Sequence, residues 1–144
     1  MTYNQVVTEV ENLLKSHAML NTVRFASPIE WINWDDQPVF PLACFTLNSG
    51  GLNAGREQVY QINLWFLDKS GKDGEFETEV TSDMHSICAD IVSKMRSKSQ
   101  EYAIDTNVAW NDISEKFEDY LTGVTCTINI SIVSKFDACS MPTI

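Results

Sequence analysis

The sequence predicts an α+β fold, a mainly antiparallel β-sheet with two amphipathic helices packed on one face. Three observations predict it. Gln58 to Asp68 alternates, with Tyr60, Ile62, Leu64 and Phe66 on one side and Val59, Gln61, Asn63, Trp65 and Leu67 on the other; that period-two pattern is a strand signal. Val124 to Lys135 alternates more cleanly, setting Val124, Cys126, Ile128, Ile130 and Ile132 against Thr125, Thr127, Asn129 and Ser131. Two other stretches repeat apolar residues at helical spacing. Neighbouring strands joined by loops favour antiparallel pairing with the helices gathered on one side.

The first helix is predicted over Asn4 to His17. Val6, Val10, Leu13 and His17 form its stripe, with Val7 and Leu14 beside it and Thr2 or Asn4 as cap. No acid or second histidine sits at a useful sequence spacing from His17, which reads as a structural residue at the helix end, where a cation suits the dipole. A short strand follows at Val23 to Ala26 and ends at Pro28. Ile29 to Pro41 reads as irregular or edge chain, because Pro38 and Pro41 exclude a helix and disfavour a central strand. Leu42 to Asn48 is the next strand.

The run NSGGLNAG then breaks regularity as a flexible loop or hairpin tip. It is no phosphate loop: Gly50, Gly51 and Gly55 lie between two strands, without a following Gly-Lys-Ser/Thr or G-x-G-x-x-G. The long strand over Gln58 to Asp68 comes next. Asp73 is the expected cap of a second helix reaching about Lys98, with Phe76, Val80, Met84, Ile87, Ile91 and Met95 as its stripe and Cys88 and Val92 flanking it. Its acids load the first turns and its bases the last, as the helix dipole favours. His85 and Asp83 fall off the stripe, on a side expected to be solvated. Tyr102 to Trp110 alternates as a strand. For 111–121 three readings stay open: an extended β-arm, a hairpin tip or a short helical turn. The tail after Lys135 is expected to be ordered only where a neighbouring surface holds it.

The chain has 144 residues, 20 of them acidic and 10 basic, with a sequence pI of about 4.4. That length fits a single domain over 1–144, and its apolar fraction of 44% is that of a folded chain. No apolar run reaches the ~20 residues of a membrane helix, and the first residues lack a basic start and apolar core, so no secretion signal is expected. The only basic cluster is Lys94, Arg96 and Lys98 at a helix end, which argues against a direct grip on nucleic acid. Cys44, Cys88, Cys126 and Cys139 form no C-x-x-C pair. The first three lie in strand or helix patterns and are expected to be reduced core residues.

Residue types that carry chemistry do not cluster. A metal site needs converging His, Cys or carboxylates, and the two histidines lie on separate helices with no H-x-x-x-H. Asp35 and Asp36 are adjacent, so in a strand they point apart. His85 and Ser86 are neighbours on a helix and diverge. The reading is a non-enzyme without cofactor or metal. Four tryptophans are many for this length, and Trp31, Trp34, Trp65 and Trp110 do not all fit one core face. Aromatics beyond core need are enriched in interfaces, and long strands offer edges that pair across subunits.

The element order then carries a resemblance. A helix runs into a short strand, a Pro-led strand follows in PVFPLACFTLNSGG, then Y-x-I-x-L-W-F-L-D-K, an acidic helix containing S-D-M-H-S-I-C-A-D-I-V, and a closing β-hairpin. This resembles the tail-terminator or tail-completion proteins of tailed bacteriophages, over nearly the whole chain. The resemblance implies a virion structural protein, assembled in the host cytoplasm, that forms a ring, commonly hexameric. Such a ring stops tail-tube growth and docks the neck, with tube and connector proteins as partners and DNA passing an acidic lumen. The family has no catalytic residues to carry over. Candidate subunit or tube contacts are Trp34, Gly51, Arg56, Trp65, Trp110, Phe117 and Tyr120, with 50–55 and 111–121 as reaching arms. A neck or head-completion adaptor of the same particle, and a cytoplasmic adaptor unconnected with phage, are the alternatives.

Overall fold

The computed structural model describes residues 2–27, 39–53, 57–71, 76–116 and 121–133. Among them a six-stranded sheet carries two helices on one face. Helix α1 spans Tyr3–Lys15. The Thr2 hydroxyl accepts the Gln5 N–H at 3.3 Å, and the Gln5 side chain accepts the Thr2 N–H at 2.8 Å. This reciprocal box satisfies two N–H groups that the first turn leaves open. A helix of 13 residues is marginal alone. What holds it is the burial of Val6, Val10, Leu13 and Leu14 against the sheet and its neighbouring helix, each worth about 1.5–3 kcal/mol before entropy is charged.

Strand β1 (Thr22–Arg24) runs parallel to β2 (Leu42–Leu52). β2 pairs antiparallel with β3 (Glu57–Lys69), which pairs antiparallel with β6 (Leu121–Val133). The far side of β6 takes two short partners in line: β4 (Ala103–Ile104) beside Ile130 and Ser131, and β5 (Trp110–Lys116) beside Leu121 to Cys126. Helix α2 (Glu77–Arg96) lies between β3 and β4 in the chain and packs over β6 and β3.

Alternation decides which side chains meet the helices. Ile62, Leu64 and Phe66 of β3 and Val124, Cys126, Ile128, Ile130 and Ile132 of β6 are buried beneath Val80, Met84, Ile87, Cys88, Ile91 and Met95 of α2. Phe66 sits in register between Ala43 and Val124, so a large ring is flanked by a small neighbour, as dense packing requires. The opposite face has a smaller apolar cluster at one end only. There Leu42, Cys44, Leu67, Ile113 and Leu121 are buried, with Phe40 and Trp65 against them. The second face of β3 therefore meets more than water along part of its length, as its mixed pattern predicts.

Three sequence expectations need correction. Asn48 to Leu52 is strand, not loop: Ser49, Gly50, Gly51 and Leu52 pair with Gln61, Tyr60, Val59 and Gln58 after an irregularity between Leu47 and Ser49. Cross-strand pairing overrides the local turn chemistry of Asn-Ser-Gly-Gly. Helix α2 begins at Glu77 with Phe76 at its cap position, where no side chain caps it; Asp73 lies outside the described residues. Tyr102 to Trp110 is not one strand. Its ladder stops after Ile104, where the Asp105 carboxylate accepts both the backbone N–H and the side-chain amide of Asn129, each at 3.1 Å, and the Arg96 guanidinium donates to the Thr106 carbonyl at 2.8 Å. Side chains replace the missing ladder bonds there. Pairing resumes at Trp110, and 110–116 is a β-arm of the hairpin that closes on β6.

Candidate assembly interface

The sheet's two edges and its helix-free face are the surfaces that could meet another molecule. β2 has 11 residues, and among the described residues only β1 pairs along its outer edge, at Leu42, Ala43 and Cys44. From Thr46 to Leu52 that edge pairs with no other described residue, and Asn48 to Asn53 are exposed. Exposed edge strands normally carry charge or proline that discourages pairing. β2 carries neither, in a chain that is 21% charged. Its guard is the irregularity between Leu47 and Ser49.

The opposite edge is held rigid by a cluster that sequence spacing does not reveal. Trp110 and Asp112 of β5 point to the helix side. The Trp110 ring stacks on the His85 ring of α2 at 4.8 Å between centroids, and His85 Nε2 lies 2.5 Å from Asp112 Oδ1. His85 is thus not simply solvated: it fastens β5 to α2. His17 likewise has an acid partner. Its Nδ1 accepts the Met19 N–H at 3.1 Å, so its proton sits on Nε2, 2.8 Å from Asp90 Oδ2. This pair ties the end of α1 to α2. Glu9 makes a third tie, accepting from Lys98 Nζ at 2.5 Å and the Tyr102 hydroxyl at 3.4 Å, and its hydrogen bond raises the Lys98 pKa.

Beyond its apolar end, the helix-free face is mostly uncharged polar, with the Glu57 and Asp105 carboxylates among its groups. Thr127 donates to Asn63 at 2.8 Å across strands, and Ser49 to Gln61 at 3.2 Å. These cross-strand pairs fix the amides in place. Ser49 and Gln61, with Asn53, Asp105, Asn129 and Ser131, line a shallow concavity of about 440 Å³.

Of the candidate contacts, Gly51 is exposed on β2, Trp65 is half-buried on the helix-free face, and Trp110 is 43% exposed on the helix side of β5. They do not form one patch. Trp65 and Trp110 face opposite sides of the sheet, and Gly51 is at the other end of the β2–β3 ladder from Trp65. Trp34, Arg56, Phe117 and Tyr120 lie outside the described residues.

Among the described residues no group of His, Cys, Asp or Glu converges as a metal centre would require, and no helix is long and apolar enough to cross a membrane. Cys44, Cys88 and Cys126 are buried free thiols, with 3.7 Å between the sulfurs of Cys88 and Cys126; Cys139 lies outside the described residues. Burial pushes the Cys44 thiol from 9.0 up to about 12, against the pull of Arg24. Burial first, then the Glu9 charge, raises Tyr102, and the hydrogen bond with Cys88 followed by burial raises Cys126.

Each of these three groups holds its proton more tightly folded than unfolded. Their contribution to stability is complete below the unfolded value and is lost as pH rises toward the folded one. The urea midpoint is therefore expected to fall steeply from about pH 9 to about pH 12, and Cys44→Ala should flatten part of that fall. An alkaline limb unchanged by Cys44→Ala would show that this thiol is not held neutral.

No protein-family model matches the chain, and comparison with curated proteins gives no match.

Proposed function

We propose that this protein is a virion structural subunit that works by self-assembly, forming a ring that caps a phage tail tube and joins it to the neck. The observation that carries the reading is the uncharged outer edge of β2 from Thr46 to Leu52, which is open among the described residues. A strand edge presents a row of N–H and C=O groups whose natural partner is another strand. Copies of a chain with formal net charge −10 repel one another, so they can join most readily where that charge is missing. The edge supplies such a place, and the mostly uncharged helix-free face extends it. The resemblance of the element order to tail-completion proteins supports reading the assembly as a ring with a tail tube and a connector as its neighbours. Acidic side chains on the lumen would keep passing DNA from sticking.

Light scattering at rising concentration, with electron microscopy of the same samples, tests the reading. Closed rings are expected, either free or on added tail-tube protein. A particle that stays monomeric and ignores the tube protein would remove the basis for it.

A further inference from the structure

We infer that successive copies join head to tail, the open edge of β2 in one copy pairing antiparallel with the outer edge of β5 in the next. This rests on the assembly reading above and specifies its interface. Strand polarity carries it. β2, β3 and β6 alternate in direction, and β5 runs against β6, so β5 is antiparallel to β2 within one copy. A second copy set beside the first, with the same face and the same strand direction, therefore offers β2 an antiparallel partner. The alternation continues across the boundary, and all helices stay on one side of the joined sheet.

The lengths also match. The free stretch of β2 runs from Thr46 to Leu52, and β5 has 7 residues. Among the described residues β5 pairs with β6 alone; two-fold pairing of β2 with β2 would satisfy the β2 edge but leave the outer edge of β5 unused in both copies, and it would bring no ring to closure. Different edges meeting in a head-to-tail contact are what close a ring. On the β5 side, the stack of His85 on Trp110 and the Asp112 bond fasten the strand to α2, so little ordering remains to be lost on pairing.

The register adds a constraint on shape. Ile113 of β5 is level with Gly123, Leu67 and Leu42 across the sheet. The stretch of β2 beside that level is occupied by β1. To reach the free stretch, the incoming β5 must slide along the strand direction by about seven residues, roughly 20–23 Å at the usual rise. The four strands β2, β3, β6 and β5 are about 19 Å across. Copies that stay at one height while stepping this way have strands inclined by about 45° to the ring axis, close to the tilt at which closed sheets settle.

Single cysteines test the pairing. Gly51→Cys places a thiol where an added Cβ meets nothing within 4 Å, and Asn111→Cys places one at an exposed β5 position on the same face. Both are made with Cys139→Ser, and circular dichroism confirms that each variant folds. After mild oxidation, mixing the two variants is expected to give a covalent dimer that neither gives alone, and the double variant a ladder ending at the ring number. Rings with no mixed dimer would overturn the edge assignment and leave the ring standing. A dimer from Gly51→Cys alone would put a two-fold β2–β2 contact in its place. Neither rings nor cross-links would remove the assembly reading itself.

Discussion

Gly123→Ala is expected to cost about 4 kcal/mol or to prevent folding, the extreme of single-substitution effects. Gly123 sits in β6 opposite Leu67 of β3. A Cβ added there would overlap the Phe66 carbonyl and crowd the Leu67 Cα. The obstacle is backbone at the centre of the sheet, so no side chain can swing aside. Relief requires β3 and β6 to separate, and that would break ladder bonds over the strand pair that supports α2. A glycine in a strand interior often marks such a close approach. Gly51→Ala is the internal control. It lies in a strand of the same sheet, nothing stands within 4 Å of its added Cβ, and the loss of glycine's freedom in the unfolded chain should leave it neutral or about 0.4–1 kcal/mol more stable. Chemical denaturation of the two variants side by side checks the contrast. Equal midpoints would mean that β3 and β6 are not as close at this point as described.

How far the sequence reaches can be judged from these same strands. β3 and β6 are legible because their periodicity is local and their burial agrees with it: Ile62, Leu64 and Phe66 alternate in a single run, and all three are buried. The first helix is legible for the same reason; of its two candidate caps, Thr2 and Asn4, it is Thr2 that caps, and its reciprocal bond with Gln5 is seen only in the structure. The continuation of β2 through Gly50 and Gly51 is not legible, because what makes it strand is the partner β3, not its own residues. The break after Ile104 hides for the complementary reason. Tyr102, Ile104, Thr106, Val108 and Trp110 alternate well, and it is the Asp105 carboxylate on Asn129 that interrupts them. Of the proposed assembly interface, the sequence shows aromatic excess and missing charge. The pairing of His85 with Asp112 and of His17 with Asp90 joins residues far apart in the chain, and no spacing rule signals it. Which edges are open follows from topology alone.

Phe66→Ala and Trp65→Ala, adjacent in the chain, are expected to differ as the two faces of the sheet differ. Phe66 is fully buried on the helix side, between Ala43 and Val124. Truncating it removes the ring's contacts and leaves a cavity that small Ala43 cannot fill, at a cost of about 4 kcal/mol, or roughly 10–15 °C in Tm for a chain of this size. Trp65 faces the other way, half-buried beside Leu42, Cys44 and Leu67. Part of its indole already meets water, so truncation gives up less apolar area, about 2 kcal/mol, and neighbouring side chains have room to relax. If β3 slipped by one residue, the two roles would exchange, because every side chain would cross to the other face. A larger loss from Trp65→Ala than from Phe66→Ala, read by thermal melts of both variants, would therefore show that the helices cover the mostly uncharged polar face. That result would move the interface as well as the core.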